Sequence, residues 1–319
     1  MGVVYLARQS GAEREVALKV INPTPRPSSA FAPSAGRPPA EHDHIVAVYD
    51  VGRIDGFLYY TMRYVEGCNL GELLGGQPID GRRAAAYLEP VARAVQHAHT
   101  RHVLHRDLKP RNILVDLDDR PYVADLGLAK LLEDAQDQEM TGTRPGMGTP
   151  EYMSPEQAKD ASRVGPASDI YSLGAILYAM LTGRPPHQAA SPVETLRLVI
   201  EVEPVPPRQV NPTIPRDLET ICLKCLQKEP AGRYANAKEL AEDLLRFLAD
   251  EPILARSVGN MERLLRWCRR NPALAGLMAT AVALLILLTV VAISVAQDRE
   301  ELAVKVVTNS VHSAAKDEA

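Results

Sequence analysis

"HRDLKPRNILVD", residues 105 to 116, is the stretch on which the reading of this chain turns. Its second half, "NILVD" (112–116), reads as a short strand, and "PYVAD" (121–125) reads as another. Two further stretches follow in order, "ADLG" (124–127) and "GTPEYMSPE" (148–156), separated by a long polar segment.

Working outward toward the N-terminus, residues 1 to 65 hold "GVVYLAR", "REVALKVI", "HIVAVYDVG" and "GFLYYTMRYV". These are β-branched and aromatic runs broken by Gly, Asp and Pro, the pattern of a small antiparallel sheet. From about Arg83 the period changes: Leu88, Val91, Ala92, Val95 and Ala98 recur at three and four residues, as on one helix face. Pro90 lies inside that pattern, so the helix is expected to start or kink there. Toward the C-terminus, "IYSLGAILYAML" is apolar on nearly every side, which predicts a helix buried all round that starts near Ser168 or Asp169. After a proline-rich connection at residues 204–215 two more helices are expected, the last with Asn236 as N-cap and Glu239 three residues on. The order is a small β lobe, then a larger helical lobe, with no internal repeat.

The ordered stretches resemble the catalytic core of the protein kinases, in particular the eukaryotic-like Ser/Thr kinases of bacteria, from Gly2 to about Ala249. The resemblance implies an α+β, bilobal kinase fold over residues 1–249, with an incomplete small lobe at 1–65 and a helical lobe at 66–249. It also implies ATP and Mg²⁺ as cofactors and protein Ser/Thr hydroxyls as acceptors. Phosphoryl transfer asks mainly for positioning and charge stabilisation. By the resemblance Asp107 accepts or orients the acceptor proton, and Lys109 sets a positive charge beside the transferred group. Asn112 and Asp125 are the hard oxygen ligands that suit Mg²⁺. Lys19 of "VALKV" takes the α and β phosphates, and Ala17 lies against the adenine. Met62 guards the back of the nucleotide pocket, Val65 belongs to the hinge, and Val4 and Leu114 sandwich the ring. Lys109 with Thr149 marks a non-specific Ser/Thr rather than a Tyr kinase. Glu156 is expected to pair with Arg233, and Asp169 to hold the catalytic-loop backbone. Leu126, in place of a more usual phenylalanine, packs as an apolar plug. Arg106 could take a phosphate added to the polar segment, with Thr141 or Thr143 as autophosphorylation targets.

Two stretches depart from the family pattern. Of the three glycines of the phosphate loop only the last, Gly2, is matched, so the loop is expected to be truncated. Residues 22–40, "NPTPRPSSAFAPSAGRPPA", stand where related kinases keep a helix whose glutamate pairs with the lysine. They hold six prolines and no acid, and each interior proline costs a helix about 3 kcal/mol. Glu41 is the nearest acid. The alternatives to an active, signalling kinase are therefore a membrane-tethered pseudokinase acting as a binding or scaffold module, or a nonfunctional fragment.

With 319 residues, 46% hydrophobic and 24% charged, and a net charge of -4, the chain carries no global sign of nucleic-acid binding. Cys222 and Cys225 sit in an apolar helical pattern with no second pair, which favours core packing over zinc. His97, His99, His102 and His105 scatter around a helix end rather than onto one face. Residues 273–296 form a run of 24 residues without a charge, long enough to cross a hydrocarbon core of about 30 Å. A basic juxtamembrane segment (250–272) with Arg263, Arg266, Arg269 and Arg270 precedes it, and a tail (297–319) follows. The expectation is one transmembrane helix, the kinase domain cytoplasmic, and a short extracytoplasmic tail in the cell membrane. Expected partners are protein substrates, ATP and the membrane, with a homodimer left open.

Overall fold

The alternation in "REVALKVI" folds into β2 (Arg14–Ile21), the centre of an antiparallel sheet flanked by β1 (Gly2–Gln9) and β4 (Phe57–Arg63), with β3 (Val48–Ile54) outside β4. The computed structural model describes residues 2–9, 12–21, 42–54, 57–126, 149–255 and 284. The chain divides into two units, Met1–Ser257 and Val258–Ala319, and of the second only Leu284 is described. The proline-rich stretch, Glu41, Thr141, Thr143, the arginines before residue 273 and the membrane run otherwise lie outside the described residues. Among the described residues no helix is long and apolar enough to cross a membrane.

Register in the sheet places Lys19 opposite Val4 on one side and Tyr60 on the other, and Ala17 opposite Met62. Period two puts Ala17, Lys19, Tyr60 and Met62 in facing pairs, so one face of β2 and β4 carries a small core with Val46, Tyr122 and Ala124. The run from His44 to Ala47 is not part of β3. It is stitched to the helical lobe, with Val46 N–H donating to the Val123 carbonyl at 2.9 Å and Val123 N–H to the His44 carbonyl at 2.8 Å, while the Ala47 carbonyl accepts from Arg63 N–H of β4 at 2.8 Å.

The helical lobe opens with a second sheet, β5 (Gly67–Asn69), β6 (Ile113–Asp116) and β7 (Pro121–Val123), in that order. Its helices are α1 (Leu70–Leu74), α2 (Gly81–His99), α3 (Pro155–Lys159), α4 (Pro166–Thr182), α5 (Pro192–Glu201), α6 (Pro207–Val210), α7 (Arg216–Cys225) and α8 (Ala237–Leu248). Asp80 caps α2, accepting from the N–H groups of Arg82 (2.9 Å) and Arg83 (3.2 Å). Of the expected start or kink at Pro90, the start is corrected: α2 begins at Gly81 and runs through Pro90 to His99. Burial of Leu88, Val91, Ala92 and Val95 outweighs the lost backbone donor, at about 1.5–3 kcal/mol for each large apolar side chain.

Helix α4 is the pillar, with every residue from Ser168 to Leu181 buried. It starts at Pro166, slightly before the expected Ser168, because proline at a first helical turn gives up a donor that has no partner anyway. A Cβ on Gly174 would lie 2.4 Å from Cβ of Cys225, so glycine here lets α7 approach α4 in close contact. Cys222 donates its thiol to the Gly174 carbonyl at 3.6 Å. Both cysteines are unpaired and fully buried core residues, and burial pushes both thiols up. Asn236 caps α8, accepting from Glu239 N–H at 3.0 Å. Asp243 of α8, buried, takes the hydroxyl of Tyr234 (2.9 Å) and the N–H groups of Leu254 (2.6 Å) and Ala255 (2.8 Å).

His187 is buried and faces the Lys228 ammonium at 3.1 Å, and Lys228 also donates to the Val199 carbonyl at 2.7 Å. Burial first, then the Lys228 charge, lowers the His187 pKa from 6.5 to about 3. The unfolded chain therefore binds a proton near pH 6.5 that the folded chain refuses, so this stability is present above pH 6.5 and lost as pH falls. Urea unfolding from pH 7.5 to 5 should show stability dropping by up to about 1.4 kcal/mol per unit below pH 6.5, with His187→Gln flattening that slope.

Candidate active site

Asp169, in the first turn of α4 and 1% exposed, organises the loop that carries "HRDLKPRN". Its carboxylate accepts from His99 Nε2 at 2.8 Å and from the backbone N–H groups of His105 (2.9 Å) and Arg106 (3.0 Å). Burial alone would raise the Asp169 pKa; the His99 hydrogen bond and the nearby histidines override it and hold the carboxyl below its usual range. His105, also buried, bonds the Ala124 carbonyl through Nε2 at 3.0 Å and accepts from Asp107 N–H through Nδ1 at 3.4 Å. One histidine thus ties the loop to the residue just before Asp125. Gln157 of α3 donates to the Arg106 carbonyl at 2.7 Å.

These contacts hold Arg106 at φ 65°, a left-handed conformation that costs a non-glycine residue about 1–3 kcal/mol and persists where the surroundings over-determine it. Asp107 follows directly, its side chain 47% exposed. Lys109 Nζ lies 2.7 Å from Asp107 Oδ2. Asn112 donates Nδ2 to the Asp107 carbonyl at 2.7 Å and to Oδ2 at 3.2 Å, which leaves its Oδ1 as an oxygen donor. The structure thus brings Asp107, Lys109 and Asn112 together with the acid open to an incoming group.

Asp125 is also left-handed, at φ 61°. One carboxylate oxygen is paired with Lys19, and the other accepts from the Tyr60 hydroxyl at 2.6 Å. Burial would raise the Asp125 pKa, but the Lys19 charge and the two hydrogen bonds bring it below the usual value. Burial and then the Asp125 charge push the Tyr60 pKa up, so the hydroxyl stays a donor. Among the described residues Lys19 finds its acid in Asp125. The hard oxygens of Asp125 and Asn112 suit a divalent cation, and both oxygens of Asp125 keep lone pairs beyond these bonds.

The residues expected around a base ring are less evenly placed. Ala17, Met62, Val65 and Leu114 belong to one apolar cluster. Val4, on edge strand β1, is 53% exposed and in register with Lys19. Gly2 lies where a Cβ would come within 2.5 Å of the Val20 carbonyl oxygen, so β2 itself demands glycine there. Leu126 is buried in the main core, and the Glu156–Arg233 pair is present and two-pronged, at 2.7 and 2.8 Å. Arg233 is fully buried and also donates to the carbonyls of Ala167 (2.7 Å), Gln227 (2.8 Å) and Lys228 (3.0 Å). Ser168 adds a bond to Glu156 at 2.7 Å. Burial opposes the Glu156 charge, and Arg233 with Ser168 overrides it, so the carboxyl sits below its ordinary range.

The protein kinase domain family matches residues 1–245. The chain belongs to the protein kinase family. Its two-lobed fold, a sheet lobe joined to a helical lobe, is that of the family. Among curated relatives it is similar to serine/threonine-protein kinase PknB of Mycobacterium tuberculosis, 35% identical over 262 residues, covering 79% of this chain and 42% of that protein. It is similar also to PrkC of Bacillus subtilis, 35% identical over 252 residues, with 76% of this chain and 38% of the relative covered. A third is PknB of Mycolicibacterium smegmatis, 36% identical over 256 residues, with 77% and 41% covered. The chain thus spans less than half the length of the kinases it matches.

Sequence reasoning missed Tyr60, His105 and Gln157 as members of this candidate site. For Tyr60 a signal existed: it stands two residues before Met62 in one strand, hence on the same face. Tyr60→Phe should remove one bond to the Asp125 carboxylate and lower stability by about 1.5–3 kcal/mol in urea unfolding. A change below about 0.5 kcal/mol would show that water replaces the hydroxyl. Arg233→Ala should cost about 3–5 kcal/mol by leaving the Glu156 charge buried and unpaired, whereas Glu156→Gln should cost less.

Proposed function

We propose that this chain is a Ser/Thr protein kinase that transfers the γ-phosphoryl group of ATP to protein hydroxyls. The observation that carries this is the half-exposed Asp107 with Lys109 Nζ at 2.7 Å and Asn112 bonded across its backbone and carboxylate. Mg²⁺-ATP, when bound, supplies the phosphoryl group and the charge that neutralises it. Asn112 and Asp125 would hold the metal, and Lys19 would meet the phosphates. Ala17, Met62, Val65 and Leu114 would seat the base, with Val4 and Gly2 as the covering edge. Asp107 takes or orients the hydroxyl proton of the acceptor, and Lys109 keeps a positive charge beside it. Lys109 two residues after Asp107 supports Ser/Thr as the acceptor class.

A second reading rests on the Lys19–Asp125 pair. A phosphate-binding lysine engaged by the metal-binding acid fits a chain that binds nucleotide or partners without transfer, a pseudokinase.

Three finer features belong to the proposal. Residues 1–249 form the kinase domain, 250–272 a basic approach, 273–296 a single membrane helix and 297–319 an outer tail. The charge-free run and the arginines before it support a cell-membrane location with a cytoplasmic kinase domain. Autophosphorylation of Thr141 or Thr143 is supported by the threonines of that segment and by Arg106 before Asp107.

The test is transfer of labelled phosphate from ATP and Mg²⁺ to a general acceptor protein, followed by phosphoamino-acid analysis. Label on Ser and Thr, falling at least about 100-fold in Asp107→Asn, is the expected result. Nucleotide-induced thermal stabilisation without any transfer would establish the second reading instead.

A further inference from the structure

A groove of about 360 Å³ opens beside Lys109, between the end of α1, the "KPR" turn and the segment after α4. Lys109, Arg111 and Arg184 line it, together with Thr149 and Tyr152, and no carboxylate is among its lining residues. Lys109 is already engaged by Asp107. Arg111 and Arg184 pair with no acid among the described residues, and both are exposed.

Each arginine is held at its base. The position of a Cβ on Gly71 would be 3.5 Å from Cγ of Arg111, so the arginine stem lies over the bare backbone of α1. The Thr182 hydroxyl, beside Arg184, donates to its carbonyl at 2.9 Å. Two arginines lining one cavity differ from scattered surface charges, because an acidic side chain entering the groove meets a positive lining with no carboxylate in it. Guanidinium binds carboxylate and phosphate alike through paired N–H donors. Lys109 joins the groove to Asp107, and residues of an extended segment are about 3.3–3.6 Å apart. An acceptor hydroxyl at Asp107 therefore brings a neighbouring side chain of the same segment to the groove.

We infer that this groove selects protein segments carrying an acidic side chain, a carboxylate or a phosphate, within a few residues of the acceptor Ser or Thr. The inference takes the acceptor position from the kinase reading above, whereas binding of such a segment does not require that transfer occur.

The experiment measures binding and transfer separately on the full chain. Fluorescein-labelled peptides with one central Ser, flanked by Glu, phosphothreonine, Ala or Lys, are titrated by anisotropy and offered as substrates with ATP and Mg²⁺. Glu or phosphothreonine peptides should bind about tenfold or more tightly than the Lys peptide, with the advantage shrinking at high salt. Whichever of the two binds tighter identifies the source of the negative charge. Arg111→Glu with Arg184→Glu should reverse the ranking. Arg111→Ala, which adds no new charge, should reduce it, so the test survives if the double reversal does not fold. Equal binding across the set, or a ranking unmoved by these substitutions, overturns the inference. Ranked binding with no transfer sustains the groove and rejects the kinase reading; transfer without ranking does the opposite.

Discussion

A carboxylate removed from water must be surrounded by donors, and the buried Asp169 imposes that demand on the loop that matters most. Its donors are one histidine ring and two consecutive backbone N–H groups, so satisfying the charge fixes the path of residues 105 and 106. Arg106 accepts a left-handed backbone as part of the same arrangement. Asp107 inherits its direction from that turn. Asp169 stands on α4, buried throughout from Ser168 to Leu181, so the position of the acid is referred to the core of the helical lobe. The Glu156–Arg233 pair repeats the logic at the end of the next segment, where all of the guanidinium nitrogens have acceptors.

Much of this was legible in the sequence, because motifs with chemistry in them are short and ordered. "HRDLKPRN", "ADLG" and "SPE" pointed to the family and its two lobes, and the resemblance they carry supplied Glu156 for Arg233 and the loop backbone for Asp169, though not His99. Local pattern also gave the strands and the buried pillar. What it gave poorly were features decided by tertiary contacts. Pro90 breaks an isolated helix, yet packing of one face carries α2 through it. "HIVA" reads as strand, yet its His44 and Val46 backbone groups bond Val123 of the helical lobe, and only the Ala47 carbonyl turns back to Arg63 of β4. His99 and His105 looked like members of a histidine cluster, and only the fold reveals that each serves a different acceptor.

The small lobe illustrates the same limit from the other side. The sequence directs attention to residues 22–40, where an acid to pair with Lys19 is expected and none is written. The structure supplies an acid from a different place, Asp125, and adds a phenolic donor from β4 to hold it. The sheet register that sets Tyr60 opposite Lys19 makes this three-member contact possible. A shift of one residue in that register would turn Tyr60 to the other face of the sheet.

The clasp made by Asp243 has a mechanical meaning. Two backbone N–H groups, at Leu254 and Ala255, are gripped by one carboxylate on α8, just before the boundary at Ser257. A pull on Ala255 therefore loads the Asp243 carboxylate and, through it, α8 where it packs on α2.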